Sequence, residues 1–185
     1  MKVMTILGSP KKNGNTAKVL GMFESLVSKG HEVERVNIVD ADVKGCVGCY
    51  ACQQNPDEPG CVQKDDAVSI FERMMGADTV VYASPLYAWS FSSQMKAFLD
   101  RHLCLVTGYD TEDYKSLFAG KRIALLVTCG GPVEGNADLI QTIFERLSDY
   151  GNCNVIGKYV VPFCTSPDAM GPEASEIAEK MAAAI

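Results

Sequence analysis

Short apolar runs alternate along this chain with longer segments in which apolar residues recur at the spacing of a helix face. The short runs predict strands at residues 2–7, 32–39, 79–83, 122–127 and 155–161. The longer segments predict helices at residues 16–29, 65–75, 92–103, 137–150 and 172–185. Two stretches fit neither pattern. Residues 45–60 are predicted to form an irregular loop, and residues 106–120 a surface excursion.

The strict alternation of strands and helices predicts the class of fold. Strands that are joined by helical crossovers run parallel and need helices on both faces of their sheet. We therefore predict an α/β fold, a three-layer α/β/α sandwich around a five-stranded parallel sheet, in a single domain spanning residues 1–185. A sheet of this kind with a ligand loop after its first strand is typical of the strand order 2-1-3-4-5.

Composition and charge argue against several classes of partner. The formal net charge is −6 and the pI is about 4.9, whereas a nucleic-acid-binding surface would be basic. No apolar stretch approaches the ~20 residues of a membrane span, and no signal peptide is recognisable. A chain of 185 residues can fold without disulfide bonds, so we expect its eight cysteines to be reduced and the protein to be cytoplasmic.

The loop after the first predicted strand has the composition of a phosphate site. It runs Gly-Ser-Pro-Lys-Lys-Asn-Gly-Asn-Thr from Gly8 to Thr16. Ser9, Asn15 and Thr16 offer side-chain donors, and the N–H groups of the following helix's first turn point at an anion bound there. The spacing matches neither the P-loop of nucleotide hydrolases nor the dinucleotide fingerprint. An ordinary strand-to-helix turn is the alternative, but the combination of residues favours a phosphate.

Two further loops reach the same edge of the predicted sheet, because the carboxyl ends of parallel strands meet there. Residues 84–91 bring Tyr87, Trp89 and Phe91 to a strand end, and the alternative is that these aromatic side chains pack in the core. Residues 128–136 are glycine-rich and, taken alone, predict only a turn. Aromatic and small residues beside a phosphate loop favour a flat heteroaromatic ring that carries a phosphate tail.

Four of the cysteines crowd into sixteen residues. Cys46, Cys49 and Cys52 follow one another at Cys-x2-Cys-x2-Cys spacing, and Cys61 comes after a gap of eight residues. Thiolates packed this closely suit a [4Fe-4S] cluster or a tetrahedral zinc ion, and free thiols or a labile disulfide are the alternative. The two histidines are too isolated to predict a metal site or a catalytic triad, and His102 is expected to cap a helix end.

The loop motifs resemble those of a known family. Gly-Ser-Pro-Lys-Lys-Asn-Gly-Asn-Thr, Ser-Pro-Leu-Tyr at 84–87 and Gln-Met-Lys-Ala-Phe-Leu-Asp-Arg at 94–101 are similar to motifs of the flavodoxin-like NAD(P)H-dependent FMN reductases. The cysteine run, with Asp65-Asp66 after it, resembles the branch that contains the iron–sulfur flavoproteins. The resemblance covers the chain to about residue 135 and is weak beyond it.

This resemblance implies a flavodoxin-like fold that binds FMN, with a [4Fe-4S] cluster as a further implied group. The implied FMN-binding residues are Ser9, Lys11, Asn13, Asn15, Thr16 and Ala17 at the phosphate, Pro85, Leu86, Tyr87, Ala88 and Trp89 along the isoalloxazine, and Thr128, Cys129, Gly130 and Gly131 at its pyrimidine side. The implied cluster ligands are Cys46, Cys49, Cys52 and Cys61.

The function implied by the resemblance is an FMN-dependent oxidoreductase that moves electrons from NAD(P)H to a quinone, a free flavin or another acceptor. Hydride transfer to a flavin needs chiefly stacking, so we assign no catalytic side chain. The alternative is an iron–sulfur flavoprotein that carries electrons supplied by ferredoxin to a partner protein. The family also implies a homodimer or homotetramer, and we expect neither a nucleic acid nor a membrane as a partner.

Overall fold

Five parallel strands form the central sheet of the computed structural model, which describes residues 1–185. In chain order, the strands are β1 (Lys2–Leu7), β2 (Glu32–Asn37), β3 (Thr79–Pro85), β4 (Val106–Thr107), β5 (Lys115–Ser116), β6 (Arg122–Thr128) and β7 (Asn154–Val161). The sheet order is β2-β1-β3-β6-β7, while β4 and β5 form a separate antiparallel pair. Counted within the central sheet alone, this is the predicted order 2-1-3-4-5, so the α/β fold is confirmed.

Helices follow the strands of the central sheet. They are α1 (Asn15–Val27), α2 (Ala67–Met75), α3 (Ser93–Asp100), α4 (Asp138–Tyr150) and α5 (Glu173–Ala183). The third helix is shorter than predicted, because after Asp100 the chain tightens into a 3-10 segment, Arg101–Leu105. None of these helices combines the length and the apolar character that crossing a membrane requires.

Two apolar layers hold the helices against the sheet. On one face, α1 and α5 pack through residues such as Phe23 and Met181. On the other face, α2, α3 and α4 contribute Phe71, Phe98 and Phe144, each of them fully buried. The sheet is covered on both sides, as parallel sheets generally are, and the three-layer sandwich follows from this.

The register of the central strands brings the ligand loops together. Leu7 at the end of β1 pairs with Ala83 of β3, and Pro85 at the end of β3 pairs with Thr128 of β6. Because these parallel strands end side by side, the chain segments that follow them leave the sheet at one edge. The fold thereby places three distant parts of the sequence around a common space.

The segment 106–120 is exposed over residues 109–115, as predicted for a surface excursion, but residues near its two ends are buried. Val106, Thr107 and Phe118 are buried, and Phe118 belongs to the apolar layer that also contains Phe71 and Phe144. Gln53 of the cysteine-rich loop is tied to this region, because its side-chain amide donates to the carbonyl oxygens of Leu103 at 3.1 Å and Val106 at 2.8 Å. The periodicity missed this packing because the buried residues are separated by exposed turn residues.

Candidate functional site

The three loops line one cleft at the carboxyl ends of β1, β3 and β6. Its volume is about 490 Å³, and it continues into a hollow of about 440 Å³. The cleft is lined by Ser9, Lys11, Gly14, Asn15, Thr16, Pro85, Leu86, Tyr87, Thr128, Cys129, Gly130 and Cys164. The hollow is lined by Leu86, Ala88, Trp89, Cys129, Gly130, Gly131 and Asn136.

Most of the residues singled out from the sequence meet in this space, but two side chains lie outside it. Asn13 is exposed and borders a separate groove together with Lys12 and Lys18. Ala17 is buried in the apolar layer between the sheet and α5. Of Ala17, only the backbone N–H is placed to serve the cleft.

The N-terminus of α1 opens onto the cleft without a capping side chain. Gly14 occupies the cap position, where no side chain accepts from the helix, and the first turn carries no acidic residue. The first intrahelical bond runs from the N–H of Lys18 to the carbonyl of Gly14, so the preceding three N–H groups have no partner in the helix. These donors, and the positive end of the helix dipole, favour an anion at this position.

Hydroxyl and amide groups surround this helix end. The hydroxyls of Thr16 and Thr128 are 2.7 Å apart and buried. The side-chain amide of Asn15 donates to the carbonyl of Cys164 at 3.0 Å, while its Oδ1 is buried and has no partner. Lys11 lines the cleft and forms no ion pair, in contrast to Lys12, which binds Asp40 at 2.9 Å. The cleft therefore offers a cation, donors and one unpaired acceptor.

A buried network of hydrogen bonds holds the loop of residues 8–16 against β3 and α3. The hydroxyl of Ser92 donates to the carbonyl of Gly8 and accepts the N–H of Met95 at 3.1 Å, so that it also caps α3. The Ser84 hydroxyl accepts the N–H of Ser92 at 3.1 Å. Within the loop, Ser9 Oγ accepts the N–H of Lys11 at 3.1 Å. These bonds fix the backbone that borders the cleft.

The aromatic segment after β3 forms a strained two-residue turn. The N–H and carbonyl groups of Tyr87 and Ser90 bond reciprocally, each at 3.0 Å, around Ala88 and Trp89. Ala88 has φ of 47° and Trp89 has φ of 59°, the left-handed pattern of a type I′ turn that usually carries Asn-Gly. Such strain persists where the surroundings impose it, often at functional sites.

The aromatic side chains of this segment divide between the surface and the core. Tyr87 is 48% exposed and Trp89 is 58% exposed, so both rings are available at the rim of the cleft. Phe91 is 4% exposed and belongs to the core on the α2–α4 face. The alternative of core packing is therefore correct for Phe91 and wrong for the other two.

Sequence reasoning missed Cys164, and it placed Gly14 and Asn136 in the predicted ligand loops without assigning them as binding residues. Cys164 follows β7, the fifth strand of the sheet, whose carboxyl end lies beside that of β6. Because ligands bind at the carboxyl ends of parallel strands, the residues that follow this last strand could also have been expected at the site. Asn136 carried no such signal, because its side chain reaches the site by bonding back to the carbonyl of Pro132 at 2.9 Å.

The two thiols beside the cleft are held in their neutral form. Burial raises the pKa of Cys129, and it raises the pKa of Cys164 to about 11. The Cys129 thiol donates to the carbonyl of Gly131 at 3.3 Å, and the Cys164 thiol donates to the carbonyl of Val161 at 3.3 Å. Neither supplies a thiolate nucleophile at neutral pH.

The four clustered cysteines line a different, small cavity. Cys46 and Cys49 are exposed, Cys61 is partly buried and Cys52 is buried. The cavity is largely apolar, and Cys104 completes the sulfur lining. Burial raises the pKa of Cys52 and raises that of Cys104 to about 12. No three of these thiols are arranged as a ready metal site in this structure.

The sequence pattern of the NADPH-dependent FMN reductase family matches residues 1–160. The chain belongs to this family. As an FMN reductase it is an FMN-dependent oxidoreductase that takes electrons from NAD(P)H and delivers them to an acceptor. Family membership thus agrees with a cleft that presents anion donors at one end and exposed aromatic rings at the other.

Several individual relatives of this FMN reductase are named iron–sulfur flavoproteins. It is 31% identical over 189 residues to an iron–sulfur flavoprotein of Archaeoglobus fulgidus, an alignment that covers 100% of this chain and 80% of the relative. It is also 31% identical over 153 residues to an iron–sulfur flavoprotein of Methanosarcina thermophila, covering 82% and 75%. The solved NAD(P)H:quinone oxidoreductase from Methanothermobacter marburgensis has the same fold, with a TM-score of 0.74 at 19% identity, covering 100% and 94%.

Proposed function

We propose that this FMN reductase is a single FMN-binding domain over residues 1–185 and that it holds FMN in the cleft, passing electrons from NAD(P)H to a small acceptor such as a quinone or a free flavin. The observation that carries the proposal is the uncapped N-terminus of α1, which opens onto the space that Trp89 borders. An anion site and an aromatic rim in one cleft match a flavin with a phosphate tail.

The phosphate end of the cleft supplies what a phosphate dianion and a polyol chain need. The N–H groups of residues 15–17 and the Thr16 hydroxyl would donate to the phosphate oxygens, and Lys11 would balance their charge. The Ser9 hydroxyl would join them by turning from the Lys11 carbonyl, to which it donates at 3.0 Å. The orphaned Asn15 Oδ1 is a buried acceptor, which a hydroxyl of the ribityl chain would satisfy. This buried acceptor without a partner therefore fits the ribityl chain of FMN, as the uncapped helix end fits its phosphate.

At the other end of the cleft, residues of the second and third loops would position the flavin ring. Pro85, Leu86, Tyr87, Ala88 and Trp89 would border one side of the ring, and the backbone of 128–131 its edge. When bound, FMN would supply the hydride and electron chemistry, while these residues would hold its ring. The neutral thiols of Cys129 and Cys164 leave the site without a competing nucleophile.

We also propose that Cys46, Cys49, Cys52 and Cys61 hold a [4Fe-4S] cluster. The support is that all four thiols line one cavity, that the cavity is apolar, and that the relatives at 31% identity are named iron–sulfur flavoproteins. When bound, the cluster supplies one-electron transfer. Binding would require the exposed residues Cys46 and Cys49 to turn inward, which a loop without regular structure permits.

The cofactors are tested on protein purified under anaerobic conditions. We expect an oxidised flavin spectrum, FMN released on heating, and iron and sulfide in equal amounts. Because Trp89 is the only tryptophan, FMN added to the apoprotein should quench its fluorescence. Riboflavin, which lacks the phosphate, should bind at least tenfold more weakly. Equal affinity for riboflavin would contradict the phosphate site, and protein without iron would contradict the cluster.

A second candidate function, an electron carrier fed by ferredoxin, is favoured by the same iron–sulfur relatives. The two candidates differ in the source of electrons. Rapid anaerobic bleaching of the flavin by NADPH or NADH supports the reductase. Bleaching by reduced ferredoxin alone, with none by either nicotinamide, would replace the reductase by the carrier.

We propose that the FMN reductase assembles as a homodimer or homotetramer that covers the exposed aromatic rim, and that it acts in the cytoplasm. Tyr87, Trp89 and Phe163 all lie at this edge of the sheet and are each about half exposed or more. A second subunit would shield such a surface from water. Light scattering during size-exclusion chromatography tests this, and a monomer at micromolar concentration would contradict it.

A further inference from the structure

A buried ion pair lies beside the cysteine cavity. The guanidinium of Arg101 binds the carboxylate of Asp65 through both nitrogens, at 2.5 Å and 3.1 Å, and both side chains have 0% exposure. Taking two charges out of water costs several kcal/mol per ion unless each finds close partners. Such a pair in an otherwise apolar interior calls for a specific explanation.

The pair is fixed from three parts of the chain. Asp65 accepts the N–H groups of Lys44 and Ala67, each at 3.1 Å, and thereby joins the residue before the cysteine loop to the start of α2. Arg101 donates to the carbonyl of Lys44 at 2.9 Å and belongs to the 3-10 segment after α3. The guanidinium therefore cannot swing away without breaking bonds at both ends of the loop.

The remaining contact of the guanidinium is with sulfur. Arg101 Nη2 lies 3.1 Å from Cys61 Sγ and donates to it. Arg101 is the only charged residue among those lining the cavity that contains Cys46, Cys49, Cys52 and Cys61. Its Nε is buried without a partner, so one further donor is unused. Arginine keeps its charge at every relevant pH and has a planar fork that can serve several acceptors at once.

We propose that Arg101, held by Asp65, is a positioning residue that orients the Cys61 sulfur as the fourth cluster ligand and raises the reduction potential of the cluster. This inference rests on the cluster proposed above. A reduced cluster carries one more negative charge than the oxidised one, so a hydrogen bond from a cation to a ligand sulfur stabilises the reduced form more. A lysine would keep the charge but could not bind Asp65, Lys44 and Cys61 together.

The test compares Arg101→Lys with the wild-type protein, both loaded with iron and sulfide under anaerobic conditions. The readout is the midpoint potential of the cluster, followed by its electron paramagnetic resonance signal during a redox titration. We expect at least a tenfold change in the one-electron equilibrium toward the oxidised form, a decrease of about 59 mV. Arg122→Lys is the matched control, because Arg122 binds the carbonyl of Ala184 at 2.7 Å and touches no cysteine. It should leave the potential unchanged.

The outcomes separate this inference from the cluster itself. A wild-type protein that takes up no iron would refute the proposed cluster and the inference with it. A wild-type cluster with an unchanged potential in Arg101→Lys would refute the inference alone. If Arg101→Lys does not fold, Arg101→Gln tests the same hydrogen bond to Cys61 with the positive charge removed as well, and the potential should again decrease. Loss of both fold and FMN uptake in the two variants would show that the pair serves only to hold the loop, and would overturn the inference.

Discussion

Thr16 and Thr128 lie 112 residues apart in the chain, yet their hydroxyl oxygens meet at 2.7 Å inside the cleft. Thr16 belongs to the first turn of α1, and Thr128 is the last residue of β6. Each hydroxyl has one proton, and a single bond between the pair uses one of them. The other proton remains available to a ligand, so the pair joins helix and sheet while still offering a donor.

Replacing Thr128 by valine should weaken FMN binding. Thr128→Val removes the group that orients the Thr16 hydroxyl in the cleft, and we expect a loss of about 1.4 kcal/mol, or roughly tenfold in affinity. Titration of the apoprotein with FMN, followed by Trp89 fluorescence, measures it. Thr142→Val is the control, since Thr142 is exposed on α4 and bonds only to the carbonyl of Asp138. Equal affinities in both variants would show that the pair makes no contribution to binding.

The left-handed turn at Ala88 and Trp89 should lower the stability of the apoprotein while it favours FMN binding. Trp89→Gly removes a side chain from a left-handed position, which should stabilise the apoprotein by about 1 kcal/mol. It also removes an aromatic ring from the cleft, which should weaken FMN binding about tenfold. Urea unfolding and quenching of FMN fluorescence measure the two effects. Ala88→Gly relieves the same kind of strain without removing a ring, so a loss of affinity as large as that of Trp89→Gly would contradict the stacking role.

Gly8 leaves no space for a side chain. A Cβ atom at this position would lie 2.5 Å from Cβ of Met95, while the N–H of Gly8 donates to the carbonyl of Ala83 at 2.8 Å and so holds the backbone in place. Gly8→Ala should therefore lower the free energy of unfolding by about 1–3 kcal/mol in urea denaturation. Gly30→Ala is the comparison, because nothing lies within 4 Å of the added atom. If the Gly8→Ala and Gly30→Ala proteins were equally stable, Met95 and α3 would have to move aside at little cost, and the expected clash would be refuted.

His102 should make stability depend on pH. Its Nδ1 donates to the carbonyl of Phe98 at 3.1 Å, in agreement with the predicted cap, and its Nε2 accepts the hydroxyl of Tyr82 at 3.0 Å. Complete burial lowers the pKa of His102 to about 4. Between pH 6.5 and 4 the unfolded chain binds a proton at this site that the folded chain does not, so stability falls as the pH falls, by about 3 kcal/mol in total.

The variant His102→Gln should lose this component of the pH dependence. Urea unfolding at pH 7 and pH 5 measures the difference, which should be smaller in the variant by about 1–2 kcal/mol. His31→Gln changes a partly exposed histidine whose ring contacts the N-terminal amine, and it should keep the wild-type difference. An unchanged difference in His102→Gln would place the acid sensitivity elsewhere.

Much of the fold could be predicted because its signals are local. Each strand of the central sheet and each helix lies within a few residues of its predicted range. The burial near the two ends of 106–120 was missed, because it involves a two-residue strand pair that has no periodicity of its own. The loops that line the cleft were predictable in the same way. The loop after β1 and the aromatic segment after β3 were visible because strand ends indicate where ligands bind.

Residue order and periodicity alone determine that this chain alternates strands with helices, builds a parallel sheet and carries a phosphate-type loop with clustered cysteines, since these properties are encoded within windows of a few residues. Only the tertiary structure decided that Thr16 meets Thr128, that Phe91 is buried while Trp89 is not, and that Arg101 donates to Cys61. These relationships join residues from separate elements. They depend on strand register and helix packing, which no local pattern specifies.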